Sequence, residues 1–345
     1  VSGNLRDYWT FFAEDSARTS GTELYPRFAR GVGNDDELKS IASHVKAGQP
    51  QANILFGAVH FLLLRGAEHP LRKFYASLGG TAQAADEDPF PLFRDFVLTH
   101  RGEIAPLVRT RVTNTNEVGR SALLHAGFRA VAAEAGAPLN LVEIGPSAGL
   151  NLIWDRYGVR YMKDGAVVAA IAPDAKLVLD CEARGDVLPP TGPAPKVGSR
   201  LGLELNPVDL GNRDDRDWLR ALVWPDDVAR LRRLEKALEL FAEAKPEIRA
   251  GDALALLPDA LAAIPRDGVA CVYHTIALYQ FSREMKEALD AILTIAGLRR
   301  PVHRLSFEHD GTEYRLSLIG YHDGVRTERV LANSHPHGRW IEWRA

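Results

Sequence analysis

Leu139–Gly149 reads LNLVEIGPSAG, and the interpretation of this stretch decides the fold. An apolar run climbs to Glu143, breaks at Gly145, crosses Pro146 and Ser147, and reaches Gly149. Leu150-Asn151-Leu152-Ile153-Trp154 continues with helical spacing. Strand, glycine-bearing turn and helix in that order place backbone N–H groups at a helix N-terminus, facing whatever lies above the strand. Two chemistries fit the letters. Gly145-Pro146-Ser147-Ala148-Gly149 matches the G-x-S-x-G elbow that presents a nucleophilic serine. Glu143 through Gly149 matches the acidic-x-Gly-x-x-x-Gly turn of a nucleotide-type cofactor site.

Downstream, strand and helix patterns alternate. Val197–Pro207 reads as a strand ending in Glu204, followed by helices over Trp218–Val223 and Asp226–Lys245. Ile248–Asp252 is a short strand and turn, and Gly268–His274 is a strand too apolar to face water on either side. Ser282 caps a helix that ends at Gly297, and Val302–Phe307 is another strand. Tyr314–Tyr321 and Thr327–Leu331 are strands joined at Asp323-Gly324, a hairpin signal. The alternation implies an α/β fold, a Rossmann-like doubly wound sheet with helices on both faces and a C-terminal antiparallel hairpin at one edge. The irregular stretch of about 156–196, with short strands at Val167-Val168 and Leu177–Leu179, is an insertion.

From residue 4 to about 136 the chain reads as helices with almost no strand signal. Gln51–Leu64 is apolar nearly all round and so forms the buried centre of a helical unit. Asp86-Glu87-Asp88-Pro89 is a loop before a helix whose Phe90, Phe93 and Phe96 recur at core spacing. The sequence thus divides into an all-α N-terminal domain, 1–137, and a Rossmann-like domain, 138–345. Near the junction, Arg109–Arg120 concentrates hydrogen-bonding side chains. Asn114 or Asn116 could cap the next helix, or the loop could line a cleft.

Composition narrows the function classes. The 345 residues are 46% hydrophobic and 25% charged with a net charge of −3, which argues against disorder and gives no reason to expect a nucleic-acid partner. Two cysteines, in no metal or redox spacing, exclude a disulfide framework and point to a reducing cytoplasm. VSGNLRDYWTFF carries no basic-then-apolar signal pattern, and the apolar run Ile54–Leu64 is too short to span a bilayer, so no membrane is expected.

The order of polar residues at strand ends separates the two readings of the central turn. A nucleophilic Ser147 needs an oxyanion-hole loop from an earlier strand, and residues 1–138 offer none. A cofactor lying across a doubly wound sheet predicts polar residues at successive strand ends. They follow in order: Glu143 and Gly145, then Glu204 for a ribose diol, Asp252 for an adenine amino group, and His274 beside the reacting end. A nicotinamide fingerprint fails because Ser147 holds its second glycine position. Glu143 and Glu204 would make the site acidic, which suits a ligand carrying positive charge.

On these residues the chain resembles the class I S-adenosylmethionine-dependent methyltransferases over about 139–345. The whole chain also resembles a bacterial family known only as a domain of unknown function, through TNTNEVGR (Thr113–Arg120), LELNPVD (Leu203–Asp209), Gly251–Ala253 and SHPHGRWIEW (Ser334–Trp343). The first resemblance implies S-adenosylmethionine as cofactor and a small-molecule acceptor. It implies a cofactor site of Glu143, Gly145, Pro146, Ser147, Gly149, Glu204, Asp252 and Ala253. His274 is the candidate base, with a satisfied strand-end histidine as its alternative, and Asn116 and Glu117 are candidate acceptor contacts. A serine hydrolase using Ser147, or a non-catalytic binding protein of this fold, are the other readings. His335 and His337 flank a proline in no metal-ligand pattern, so no metal is expected.

Overall fold

A computed structural model describes residues 8–19, 22–81, 87–265 and 267–345. Residues 4–7 of the stretch read as helical and Asp86 of the expected loop lie outside them. The chain forms α1 (Tyr8–Thr19), α2 (Leu24–Gly33), α3 (Asp36–Ala42), α4 (Gln51–Leu64), α5 (Phe90–Thr99) and α6 (Arg101–Thr110). α7 (Ser121–Ala135) leads into β1 (Leu139–Ile144), β2 (Gly158–Lys163), β3 (Ala166–Ile171), β4 (Val178–Arg184) and β5 (Val197–Glu204). α8 (Arg213–Ala221) and α9 (Val228–Ala244) precede β6 (Glu247–Ala250), α10 (Ala253–Ala262) and β7 (Val269–Thr275). α11 (Arg283–Gly297), β8 (Val302–His309), β9 (Tyr314–His322), β10 (Val325–Ser334) and β11 (Trp340–Trp343) complete the chain.

Two compact units result, Val1–Thr115 with Val208–Leu234, and Asn116–Pro207 with Glu235–Ala345. This division differs from a single cut at 137, for reasons visible in the packing. The Trp218 indole of α8 donates to the Val112 carbonyl at 2.9 Å, and Arg111 meets Asp215 at 2.5 Å, so the segment after β5 belongs with the helices. Leu123, Phe128 and Val131 of α7 join the core of the sheet.

In the helical unit, α4 is buried along nearly its whole length, as its unbroken apolar sequence requires. Phe93 stacks on Phe28 at 4.2 Å and meets Phe56 edge-on at 5.5 Å. His60 is the polar residue buried inside α4. Its ring nitrogens lie 3.0 Å from the Ala221 carbonyl and 2.8 Å from the Ser77 hydroxyl, and burial pushes the imidazole down to about 4.

The second unit carries one mixed sheet, eleven strands among the described residues, in the order β3-β2-β4-β11-β10-β9-β8-β7-β1-β5-β6. The run β6-β5-β1-β7-β8 is parallel. Alternate residues of β1 feed opposite cores: Leu139 and Leu141 pack in the cluster with α7, Val142 and Ile144 in the cluster with α10 and α11. Asp323 (φ 48°) and Gly324 (φ 77°) form the expected hairpin turn between β9 and β10. The hairpin is not at an edge, however. β11 pairs with β10 on one side and with β4 on the other, so the 156–196 insertion extends the same sheet outward through β4, β2 and β3. Among the described residues no helix is long and apolar enough to cross a membrane.

His125 in α7 is held like His60. It bonds the Tyr157 carbonyl at 2.9 Å and faces the Arg129 guanidinium at 3.1 Å, and burial with that positive neighbour pushes it down to about 4. Both histidines therefore take up protons more readily when unfolded, where the ordinary value is 6.5. Their contribution to stability is present above pH 6.5 and is lost as pH falls towards 4, on the order of 3 kcal/mol per histidine. Urea denaturation should show a His60→Gln variant losing less stability than the parent over that window; equal losses would contradict the neutral buried imidazole.

Candidate functional site

The strand order reverses direction at β1. The chain runs outward from β1 to β5 and β6, then returns to β7 on the other side and continues to β8. Such a reversal leaves a crevice outside the carboxyl ends of the two central strands, where ligands of open α/β sheets bind. Gly145 is exposed there, although residues 139–144 and 146–150 are buried. A Cβ at Gly145 would lie 3.0 Å from that of Ala277, just beyond β7.

The turn holds itself with its own donors. Gly145 N–H donates to the Leu203 carbonyl (3.0 Å), and Gly149 N–H to the Pro146 carbonyl (2.8 Å). Ser147 N–H donates to Glu204 Oε2 (2.8 Å), and Leu150 N–H to Asn116 Oδ1 (2.8 Å). Leu150–Arg156 is a short 3₁₀ helix rather than an α-helix. The expected row of N–H groups facing a ligand is thus largely turned onto protein acceptors. Ser147 has φ 56°, in the left-handed region, which explains why this turn ordinarily favours glycine.

Glu143 does not present a charge to the crevice. Its side chain is 1% exposed, and the Tyr273 hydroxyl lies 2.9 Å from Oε2 and 3.3 Å from the Asn151 carbonyl. Burial, opposed by the Tyr273 hydrogen bond and reinforced by the negative charge of Glu204, raises the carboxyl to about 8. A protonated Glu143 fits the two-acceptor surroundings of Tyr273, because one of the pair must donate. The pairing of Glu143 with Glu204 as an acidic site therefore reduces to Glu204 near neutral pH.

Glu204 ends β5 half-buried. Oε2 takes the Ser147 N–H and Oε1 the Asn206 N–H at 3.0 Å, leaving each oxygen a further lone pair. Gly251 N–H donates to the Glu204 carbonyl at 2.9 Å, which sets the next strand end beside it. Asp252 is exposed, with Oδ1 capping α10 through Leu254 N–H at 2.9 Å, and Ala253 is buried behind it. Gly145, Glu204 and Asp252 thus follow one another along successive strand ends.

His274 has the alternative geometry. It is fully buried; Nδ1 lies 2.7 Å from Glu308 Oε1, and Arg304 Nε donates to Nε2 at 3.0 Å. Arg304 requires a lone pair on Nε2, so Nδ1 carries the proton and donates to Glu308. Burial lowers the imidazole, and neither nitrogen is left to face a ligand. The base expected at this strand end is instead a structural link between β7 and β8.

The end of this polar segment, Asn116–Arg120, meets the turn after β1 and the end of β7. Asn116 reaches across to Leu150 rather than capping its own helix, and Glu117 Oε1 accepts from Gly119 N–H at 2.9 Å to cap the 3₁₀ turn Val118–Arg120. Arg120 donates to the Thr275 carbonyl at the end of β7 and to the Pro336 carbonyl, both at 2.8 Å. Gly119 and Gly338 meet backbone to backbone: a Cβ at Gly119 would run into the His337 carbonyl, and one at Gly338 into the Gly119 carbonyl. His335 Nδ1 accepts from His337 N–H at 3.0 Å, and burial beside the positive Arg339 pushes it down to about 4. Arg120 was visible in the sequence as one polar letter among many; only its two distant acceptors reveal its function.

A family model described as an uncharacterised protein conserved in bacteria, DUF2332, matches residues 6–343. The chain belongs to this family. No curated protein and no solved structure matches it. In this DUF2332 protein, Asn116–Arg120 and Ser334–Trp343 meet through Arg120 and the Gly119–Gly338 contact.

Two measurements follow. The folded state keeps a proton on Glu143 between pH 4.5 and about 8 that the unfolded chain releases, so the parent should lose stability as pH rises through that window. A Glu143→Gln variant should not, and the gap at pH 8 should reach several kcal/mol in urea denaturation; parallel profiles would refute the buried neutral acid. Gly119→Ala should cost about 1–3 kcal/mol through the backbone clash, read as a lowered Tm, and an unchanged Tm would contradict the close approach.

Proposed function

We propose that this DUF2332 protein is an S-adenosylmethionine-dependent methyltransferase acting on a small-molecule acceptor, with a class I methyltransferase-like fold in its second unit. The observation that carries the reading is the alignment of exposed Gly145, half-buried Glu204 and exposed Asp252 along the strand ends beside the β1/β7 reversal. The residues fit the group. Gly145 offers a surface without a Cβ over which the methionine part and ribose can lie, and the free lone pairs of Glu204 suit the ribose diol. The uncapping oxygen of Asp252, with Ala253 behind it, suits the adenine edge. When bound, the cofactor would supply an activated methyl group on a sulfonium. The protein's part is to hold acceptor and methyl carbon in line, and Glu204 adds a negative charge near the positive ligand. Pro146, Ser147 and Gly149 shape the turn beneath it.

The serine-hydrolase reading has one observation in its favour, the left-handed backbone of Ser147. Against it stands the position of β1 as the first strand of the chain among the described residues, with no earlier strand to carry an oxyanion loop.

Titration calorimetry with S-adenosylhomocysteine tests the proposal. The parent should bind, and Glu204→Gln should weaken binding about tenfold or more, the worth of a hydrogen bond to a charged acceptor. No heat of binding from the folded parent at high ligand concentration would reject the cofactor assignment. A fluorophosphonate probe that labels the parent but not Ser147→Ala would replace it with the hydrolase.

A further inference from the structure

One face of β8 begins with Val302, which packs in the core with Leu289 and Leu293 of α11, and continues with Arg304, which pairs with Asp290 at 3.1 Å. Ser306 and Glu308 extend the same face, and there a cleft of about 180 Å³ opens. Ser317 of β9 stands opposite Ser306 in register, lines the cleft with it, and is 8% exposed. Among the described residues neither hydroxyl has a hydrogen-bond partner, and neither is enclosed. A hydroxyl so nearly buried without a partner costs free energy, which a hydrogen bond from a ligand would offset. Glu308 supplies the charge. Its Oε1 accepts from His274 Nδ1–H at 2.7 Å and from the Ala277 and Leu278 N–H groups at 2.9 and 3.1 Å, while Oε2 is neither bonded nor enclosed. Against the burial that would raise it, these donors hold the carboxyl below its usual range. No arginine or lysine among the described residues pairs with it. Arg315, opposite Glu308 in register, turns to Asp310 at 2.7 Å and Glu313 at 3.1 Å. Arg326 is taken by Asp290 at 3.1 Å and Glu328 at 2.6 Å. The cleft therefore holds an uncompensated carboxylate beside two unpartnered hydroxyls.

We propose that this cleft binds a small amino alcohol in its ammonium form, with the nitrogen on Glu308 Oε2 and the hydroxyl on Ser306 and Ser317. An ionised carboxylate only accepts, so it selects an N–H donor, and the positive charge of an ammonium strengthens that bond. Serine hydroxyls both donate and accept, which suits a ligand hydroxyl. Ser306 and Glu308 are two residues apart on one strand face, about 7 Å along the backbone, a span that a short amino alcohol can bridge. Val330 lines the cleft as well and offers an apolar contact to the carbons between. Gly145, Glu204 and Asp252 take no part, so the site does not depend on the methyltransferase reading.

Saturation-transfer NMR at neutral pH, with ethanolamine as probe and ethylene glycol as its uncharged counterpart, tests the site. Ethanolamine should bind the parent saturably, and ethylene glycol at the same concentrations should not. Ser317→Val removes the hydroxyl and fills the cleft with a side chain that strands favour, so ethanolamine should bind about tenfold more weakly or worse. Its Tm should not fall, because the hydroxyl it removes has no partner to lose. Glu308→Gln keeps an acceptor for the three donors at Oε1 and should weaken ethanolamine by a similar factor. The proposal is overturned if ethanolamine does not bind, if ethylene glycol binds equally well, or if folded Ser317→Val keeps the parent affinity. Should either variant fail to fold, the preference of the parent for the charged probe still decides. S-adenosylhomocysteine enters none of these measurements, so the cofactor reading stands or falls separately.

Discussion

The guanidinium of Arg120 joins three parts of the chain that are far apart in sequence. Its own position precedes α7, and its two acceptors lie at the end of β7 and in the turn before β11. Two charge-assisted hydrogen bonds to part-buried carbonyls are strong enough to fix such a junction and directional enough to fix its orientation. The Gly119–Gly338 contact allows it, because any side chain there would hold the two loops apart. Asn116 extends the same junction to the turn after β1 through Leu150. The loop that begins the second unit thus braces the glycine turn, the neighbouring strand end and the C-terminal turn together.

Burial then redistributes charge around this junction. Glu143 and His274 both stand at strand ends where a ligand-facing role is expected, yet both are enclosed and hydrogen-bonded, and both are driven towards their neutral forms. Both thiols are buried too, which pushes Cys181 and Cys271 well above the usual thiol range and makes them inert packing groups. Glu204 and Asp252, by contrast, keep access to solvent. A site is defined here as much by which polar groups the core has absorbed as by which it presents.

Much of the architecture was legible because local rules govern it. The unbroken apolar run of α4 could only be buried, Asp323-Gly324 supplies the two left-handed residues a tight hairpin needs, and the apolar letters of β7 demand cover on both faces. Less legible was the far side of the sheet. Nothing local to Val178–Arg184 announces that it will pair with Trp340–Trp343, so the hairpin looked like an edge and the insertion like an excursion. Likewise Asn116 satisfies the sequence rule for a helix cap, but its carbonyl oxygen goes to a donor 34 residues away.

The sequence by itself determined the strand, turn and helix order after Leu139, the helical character of the N-terminal part, and the row of polar residues at successive strand ends. Periodicity and turn chemistry act over a few residues, so they can be read from a few residues. Only the tertiary structure decided which of those polar residues face water. Glu143 is enclosed by Tyr273, His274 by Glu308 and Arg304, whereas Glu117 and His337, more than 200 positions apart, are brought to one another. Solvation and pKa depend on everything packed around a group, and that is a property of the assembled core rather than of any stretch of chain.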